Sequence, residues 1–142
     1  MDIQKENLTF LLADVSRLIR RSFQKRIEGS SLTQAQARAL IWVSKNEGIQ
    51  QCELAELLEI QPITLARLLD QLEQNALVER RHNPADRRAY QLYITKQAAP
   101  HLAAIREVGA AIRADALRGV EKSELEILLA TLHKMRSNLG SH

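Results

Sequence analysis

The strongest constraint on the fold is a change of hydrophobic period just after residue 76. Before this point, four leucines recur at the i, i+3, i+4, i+7 spacing of one helix face: Leu65, Leu68, Leu69 and Leu72. After it, residues 77–81 and 90–94 are rich in strand formers, and the second run alternates with period two. A polar stretch over residues 82–89 joins the two runs. The pattern predicts a helix that starts near Pro62, where proline suits the first turn, and then a β-hairpin.

Helical periodicity also covers the residues before this point. Apolar spacing predicts a first helix over about residues 6–28. Thr33 and Gln36 have the spacing of a capping box, so a second helix is expected to start there and to end near Gly48. A short helix over residues 52–59 follows, and at about two turns it needs packing partners to be stable.

The residues after the hairpin predict two further helices. Thr95 is a candidate N-cap for a long helix that runs to about residue 118, and Pro100 is expected to bend or delay its start. Gly119 separates this helix from the last one, for which Ser123 and Glu126 are a candidate capping box.

The predicted fold is mainly α with a small β-hairpin, in the order α-α-α-α-β-β-α-α. Two short helices followed by a hairpin form a winged helix-turn-helix, which we expect over residues 33–95. Residues 1–30 and 96–142 are expected to form a helical dimerisation region, and residues 1–142 together a single domain.

Composition excludes several classes of protein. The longest apolar run, residues 39–43, is far shorter than the roughly 20 residues of a membrane span. The single cysteine, Cys52, excludes an internal disulfide and makes a zinc site improbable, so a cytoplasmic location is expected. The sequence has no GxGxxG, GxxxxGK[ST], HExxH or GxSxG motif and no histidines at metal-ligand spacing. We therefore expect no cofactor, no metal and no enzymatic activity.

The charge distribution favours nucleic acid as the partner. The net charge is only +3, which permits this partner without requiring it. Four arginines, however, fall on the predicted hairpin: Arg80, Arg81, Arg87 and Arg88. In a winged helix-turn-helix, the helix from Pro62 would enter a major groove, and Arg87 and Arg88 at a loop tip would reach a minor groove.

These motifs resemble the MarR (multiple-antibiotic-resistance regulator) family, and within it the SlyA-type branch. The segment QCELAELLEIQPITLARLLDQLEQNALVER carries the LxRxxDxLE pattern of a recognition helix and then L-V-x-R. NPADRRAYQLYIT carries the wing pattern, D-x-R ahead of a strand that ends in Ile-Thr. One departure is Ala76, where the family usually has glycine, and Asn75 could adopt the left-handed conformation instead.

The resemblance implies a homodimeric transcription regulator, most often a repressor, that binds a pseudo-palindromic operator in double-stranded DNA. The recognition helix, residues 62–75, and the wing, residues 83–89, would contact DNA. Asp86 would orient the wing arginine without touching DNA, and Arg87 would share the role of Arg88. The implied DNA-contacting residues are Gln61, Pro62, Ile63, Thr64, Arg67, Arg87 and Arg88. A small anionic or aromatic ligand is also implied, between the dimer helices and the DNA-binding lobe.

The first and last helices carry apolar stripes that need a partner. Either they pack within the chain or, as we expect, they form the seam of a homodimer. The expected interface residues are Leu8, Leu11, Leu12, Val15, Leu125, Leu128, Leu132 and Met135.

Several alternatives stay open. Arg67 could contact DNA or pair with Asp70 at i, i+3. Either Arg80 or Arg81 is expected to face phosphate. Cys52 at a helix start could be a redox sensor or an ordinary small residue. A winged helix can also serve as a protein–protein adaptor without DNA binding, although such a surface would be more apolar or acidic than this one.

Overall fold

The computed structural model describes residues 7–140, and the element order matches the prediction. The helices and strands, in chain order, are α1 (Leu8–Arg26), α2 (Gln34–Lys45), α3 (Gln51–Leu58), α4 (Pro62–Gln74), β1 (Val78–Asn83), β2 (Asp86–Ile94), α5 (Ala99–Ala116) and α6 (Lys122–Leu139). A 3-10 turn at Lys96–Ala98 precedes α5. The chain divides into two compact units, one ending at Ile112 and the other starting at Arg113. The fold is mainly helical with one antiparallel hairpin, as predicted.

The core of the first unit is built on α2, α3 and α4 with the hairpin. Its largest fully buried side chains are Leu40, Val43, Leu54, Leu65, Leu69, Leu72, Val78 and Leu92. Of the predicted α4 stripe, three leucines are fully buried and Leu68 is half-buried at the edge of the core. Burying a leucine stabilises a fold by about 1.5–3 kcal/mol, so this stripe fixes which face of α4 points outward.

The start of α2 follows the prediction, and its end does not. The Thr33 hydroxyl accepts from the Gln36 backbone N–H at 3.1 Å, and the Gln36 amide oxygen accepts from the Thr33 N–H at 3.0 Å. The helix, however, ends at Lys45, before Gly48. The Gly48 N–H donates to the Leu92 carbonyl at 2.8 Å, so the chain leaves the helix early to pair with β2. Gly48, at a φ of +87°, lies in the turn that makes this possible.

The hairpin is longer than predicted. Its strands extend through the polar stretch expected to be a loop and meet at a two-residue turn, Pro84 and Ala85. Asn83 is opposite Asp86, while His82 is opposite Tyr90, so residues 87–89 form a bulge in β2. The prediction that Arg87 and Arg88 lie on a loop tip was therefore wrong, because both lie in the bulge, next to the turn.

The helices after the hairpin differ from the prediction at their ends. Thr95 makes no side-chain cap, since its hydroxyl donates to the Ala76 carbonyl. The 3-10 turn delays α5, in which Pro100 is the second residue, and α5 ends two residues before the predicted Arg118. The capping box predicted at Ser123 was also wrong. The α6 N-cap is Glu121, whose backbone N–H donates to the Glu124 carboxylate at 3.1 Å.

Two helices have no buried residue along their whole length, α1 in the first unit and α6 in the second. On α1, the side chains of Leu8, Leu11, Leu12 and Val15 are all exposed. On α6, Leu128 is exposed, whereas Leu125, Leu132 and Met135 are half-buried. The expected interface residues are thus at or near the surface of the single chain.

The exit from α4 occurs at Ala76 and not at Asn75, the residue that the sequence offered as an alternative for the left-handed conformation. Ala76 has a φ of +59°, whereas Asn75 has a φ of −83°. The Leu77 N–H donates to the Leu72 carbonyl and the Ala76 N–H to the Glu73 carbonyl, both at 2.9 Å. This pair of bonds is a Schellman motif, in which the left-handed residue is the one after the cap, so the bonds select Ala76.

A residue with a side chain is strained in this conformation, so we expect Ala76→Gly to stabilise the protein. The left-handed form costs an L-residue about 1–2 kcal/mol, and the greater freedom of unfolded glycine offsets part of the gain. The expected net gain is about 0.5–1 kcal/mol in the free energy of unfolding, measured by urea titration. Ala103→Gly, at an exposed position inside α5, is the control and should lose about 1 kcal/mol. Equal losses in the two variants would contradict the strain argument.

Candidate nucleic-acid interface

The outer face of α4 is polar and open to solvent. Gln61, Pro62, Ile63, Thr64 and Arg67 are all exposed, at the start of the helix and one turn along it. Pro62 is the first helical residue, and the first intrahelical bond is donated by Leu65 to the Gln61 carbonyl. Backbone N–H groups in this turn have no helical acceptor, which favours an anion such as phosphate nearby.

The wing and the start of α4 border one open cleft of about 390 Å³. Pro62 of α4 and Arg88 and Asp86 of the wing line it. The other lining residues are Gln50, Gln51, Cys52, Ala89 and Tyr90. The structure thereby brings together three of the residues predicted from sequence. Gln61, Ile63, Thr64, Arg67 and Arg87 do not line this cleft.

Backbone contacts hold the wing bulge in place. The Asp86 carboxylate accepts from the Arg88 backbone N–H at 3.0 Å, and Nδ1 of His82 lies 2.8 Å from the Arg87 carbonyl oxygen. Asp86 therefore positions the arginine through its backbone, and the Arg88 guanidinium stays exposed. Across residues 7–140, neither Arg87 nor Arg88 forms an ion pair.

Asp70 pairs with Arg80 and not with Arg67, which corrects one of the sequence alternatives. Nη2 of Arg80 donates to the Asp70 carboxylate and, at 3.2 Å, to Glu73. The Arg80 backbone N–H also donates to Glu73, at 3.1 Å. Only 18% of the Arg80 side chain is exposed. Arg80 thus joins β1 to the last turns of α4, and Arg67 is left without an ion pair among the described residues.

Arg81 lies on the exposed side of β1 but also has partners. Its guanidinium pairs with Glu79 at 3.2 Å and lies over the Tyr93 ring, 4.0 Å from the ring centre. The hydrogen bond that Arg81 donates to the Glu79 carboxylate raises the pKa of Arg81 above its ordinary value. One of Arg80 and Arg81 was expected to face phosphate. Both are paired with carboxylates, so neither offers phosphate an unpaired charge.

The Arg80 contacts change the titration of the groups they join. The side-chain hydrogen bond from Arg80 lowers the pKa of Glu73 below its ordinary value of 4.5, against the opposing effect of burial. For Arg80, burial disfavours the charged form. The hydrogen bonds that Arg80 donates to Glu73 and Asp70 outweigh this effect, so its pKa is raised. Both shifts favour the charged forms of Glu73 and Arg80.

Sequence reasoning missed two contacts that position α4. One is the Arg80 cluster, in which Glu73 and Asp70 lie seven and ten residues before Arg80, so no local spacing rule could show these contacts. The other is the buried Gln36, whose amide Nε2 donates to Oε1 of Gln71 on α4 at 2.9 Å. In the sequence, Gln71 is a polar residue outside the leucine stripe, with no motif that indicates this contact.

Cys52 is exposed at the start of α3, with its Sγ 3.6 Å from Oε1 of Gln50. Within residues 7–140, no group of His, Cys, Asp and Glu side chains could hold a metal ion. The same part of the chain contains no helix that is long and apolar enough to cross a membrane.

This geometry is that of a winged helix-turn-helix, in which α3 and α4 form the helix pair and the hairpin forms the wing. Comparison with known proteins agrees, since the MarR family model matches residues 32–90. Similar crystal structures include the transcriptional regulator PA3341, which is 33% identical. The match covers 96% of this chain and 100% of that one, with a TM-score of 0.83.

Two further structures extend the comparison. MarR is 26% identical over 97% of this chain and 92% of that chain, with a TM-score of 0.81. SlyA is 25% identical, and the match covers 98% of this chain and 94% of that one, with a TM-score of 0.75. The chain therefore belongs to the MarR family and is a DNA-binding transcription regulator, the class predicted from its motifs.

The Arg80 cluster yields a stability prediction. Arg80→Met should lower the free energy of unfolding by about 1 kcal/mol at pH 7, because the side chain loses two carboxylate partners. The Glu73 pKa is lowered in the folded state. Its contribution is therefore present above 4.5 and lost as the pH falls below that value, where the variant and the parent should converge. Urea unfolding at neutral and acidic pH measures both effects.

The matched control is Arg81→Met, which removes an arginine from the next position of the same strand. Both side chains of its salt bridge with Glu79 are about half exposed, so a smaller loss in the free energy of unfolding is expected. A loss from Arg81→Met as large as that from Arg80→Met would contradict the role assigned to the cluster.

Proposed function

We propose that this protein is a homodimeric repressor that binds a pseudo-palindromic operator through α4 and the wing of each subunit. The observation that carries the proposal is the shared cleft, where Arg88 of the wing and Pro62 of α4 border one opening of about 390 Å³. A duplex that receives α4 in its major groove would present the adjacent backbone and minor groove to the wing.

The dimensions and charges suit this arrangement. A helix with side chains is about 10–12 Å across, and the major groove is about 12 Å wide. Arg87 and Arg88 are exposed and lack ion pairs in the described chain, so DNA binding breaks no existing salt bridge. Arginines in a narrow minor groove gain from its strong negative potential.

Removing the wing charge should weaken DNA binding. Arg88→Ala is expected to cost about 1 kcal/mol or more in binding free energy to promoter DNA, measured by fluorescence anisotropy. The affinity of the parent should also fall steeply as salt rises, because phosphate contacts release counterions.

Arg118→Ala is the control for Arg88→Ala. It removes the same charge outside the winged helix, from a residue that pairs with Asp115 and is 79% exposed. The proposal would fail if affinity were insensitive to salt, or if Arg88→Ala and Arg118→Ala behaved alike. Binding to a protein partner instead of DNA would then favour the adaptor alternative.

We propose that the exposed stripes of α1 and α6 pack against the same helices of a second copy. Exposed leucines at helical spacing on both helices are the supporting observation. A two-fold dimer places two recognition helices about one turn of DNA apart, so each subunit reads one half-site. The dimer would repress by covering the promoter. Because its wing motifs resemble those of the SlyA-type branch, we propose that it belongs to that branch and acts in the cytoplasm, where the chromosome lies.

A charge in the stripe should break the dimer. Leu128→Glu, on α6, is expected to convert the protein to a monomer at micromolar concentration and to weaken operator binding, because it would bury an unpaired carboxylate. Multi-angle light scattering gives the mass. Leu57→Glu on α3 is the control, because Leu57 is 45% exposed and Leu128 is 46% exposed. A monomeric parent, or a dimeric Leu128→Glu variant, would contradict the assignment.

We also propose that a small aromatic acid regulates DNA binding from a pocket of about 200 Å³ between α1, α2 and α5. Its walls are Ile19, Phe23, Ile41 and Ile105 with Arg20, Gln34 and Arg38. The volume is below the roughly 300 Å³ of sites for drug-sized ligands, which favours a single ring. Neither Arg20 nor Arg38 forms an ion pair within the described residues, so both guanidinium groups can pair with a carboxylate. Such a ligand acts only if its affinities for the DNA-bound and free forms differ.

Charge should decide ligand binding at this pocket. Benzoate is expected to raise the melting temperature more than its uncharged analogue benzamide, and Arg38→Met should abolish the difference. Differential scanning fluorimetry measures both. Arg17→Met is the control, because Arg17 pairs with Asp14 on α1 and does not line the pocket. An equal response to benzoate in the parent and Arg38→Met would exclude this site.

A further inference from the structure

One apolar side chain projects from the outer face of α4. Ile63, the second residue of the helix, is 62% exposed, whereas the leucines of α4 are buried or half-buried. Its neighbours on the surface, Gln61, Thr64 and Arg67, are polar or charged. Ile63 is not part of the hydrophobic core, so its side chain leaves water, and thereby lowers the free energy, only when another molecule covers it.

The surroundings of Ile63 indicate what covers it. A protein-docking surface needs a contiguous apolar patch, and along α4 Ile63 is the only large apolar residue that is mostly exposed. In a major groove, by contrast, a single apolar group has a single partner, the C5-methyl group of thymine. Only the A·T pair carries this methyl group, so an isoleucine at this position would read sequence as well as add affinity.

We propose that Ile63 is a specificity-determining residue that reads a thymine methyl group in each half-site. This inference rests on the proposed function, in which α4 occupies the major groove. Arg67 lies four residues further along the same helix face, a rise of about 6 Å, or nearly two base-pair steps of 3.4 Å. Arginine in a major groove is best matched by the O6 and N7 atoms of guanine. The half-site should therefore contain a T·A pair about two positions from a G·C pair.

The first test is selection of duplexes from a random DNA library by the full-length protein. The parent should enrich duplexes with thymine at one position of each half-site. Ile63→Ser should lose the preference at that position and keep the others, including the guanine assigned to Arg67. Leu57→Ser, which removes an exposed leucine from α3, should select the same sequences as the parent.

The second test removes the methyl group from the DNA. Replacing the selected thymine by deoxyuridine deletes only this group and should weaken the parent about fourfold per half-site, the value of one buried methyl. Ile63→Ser, which replaces the apolar side chain by a polar one, should bind the two duplexes equally. Because Ile63 is exposed, the variant should melt at the parent temperature, which separates lost contacts from misfolding.

Each outcome decides the proposal. Equal parent affinities for the thymine and deoxyuridine duplexes, or an unchanged preference in Ile63→Ser, would overturn the assignment while leaving operator binding intact. If the parent enriched no duplex at all, the proposed DNA-binding role of α4 would fail, and the assignment of Ile63 with it.

Discussion

The structure depends on the burial of one face of α4. Leu65, Leu69 and Leu72 are fully buried, and together their burial stabilises the fold by several kcal/mol, so the helix cannot rotate without exposing them. The opposite face, with Ile63 and Arg67, is thereby held toward solvent. A helix that reads DNA must present its side chains at fixed positions, and the leucine stripe provides this by ordinary packing rather than by any contact with DNA.

The Arg80 cluster extends that constraint to the wing. Through Asp70 and Glu73 it ties β1 to the same helix that carries the proposed DNA-reading face. Asp86 then fixes the backbone of the bulge in which Arg88 lies. The wing arginine and the start of α4 consequently border one cleft, although they are far apart in sequence. The four arginines of the hairpin thus differ in their contacts. Arg80 and Arg81 form ion pairs, whereas Arg87 and Arg88 are exposed and form none within residues 7–140.

Prediction from sequence succeeded where the signal was periodic or local. The α4 stripe, the Thr33–Gln36 capping box and the order of elements were all confirmed, because each depends on residues within two turns of one another. The failures have tertiary causes. Helix α2 ends earlier than predicted because the chain at Gly48 pairs with β2. The hairpin includes the polar stretch that was predicted to be a loop, because its two strands satisfy each other's backbone hydrogen bonds.

The sequence by itself determined the class of this protein. The helical and strand periods predicted a winged helix-turn-helix, and the motifs of α4 and the wing resembled those of the MarR family. The tertiary structure decided which arginines remain available. By sequence spacing Asp70 could pair with Arg67, yet it pairs with Arg80. Arg67, on the same helix face as Ile63, therefore has no ion pair within the described residues. The physical reason is that ion pairs form between charges that the fold brings within a few ångströms, and that proximity depends on how α4 and the hairpin pack.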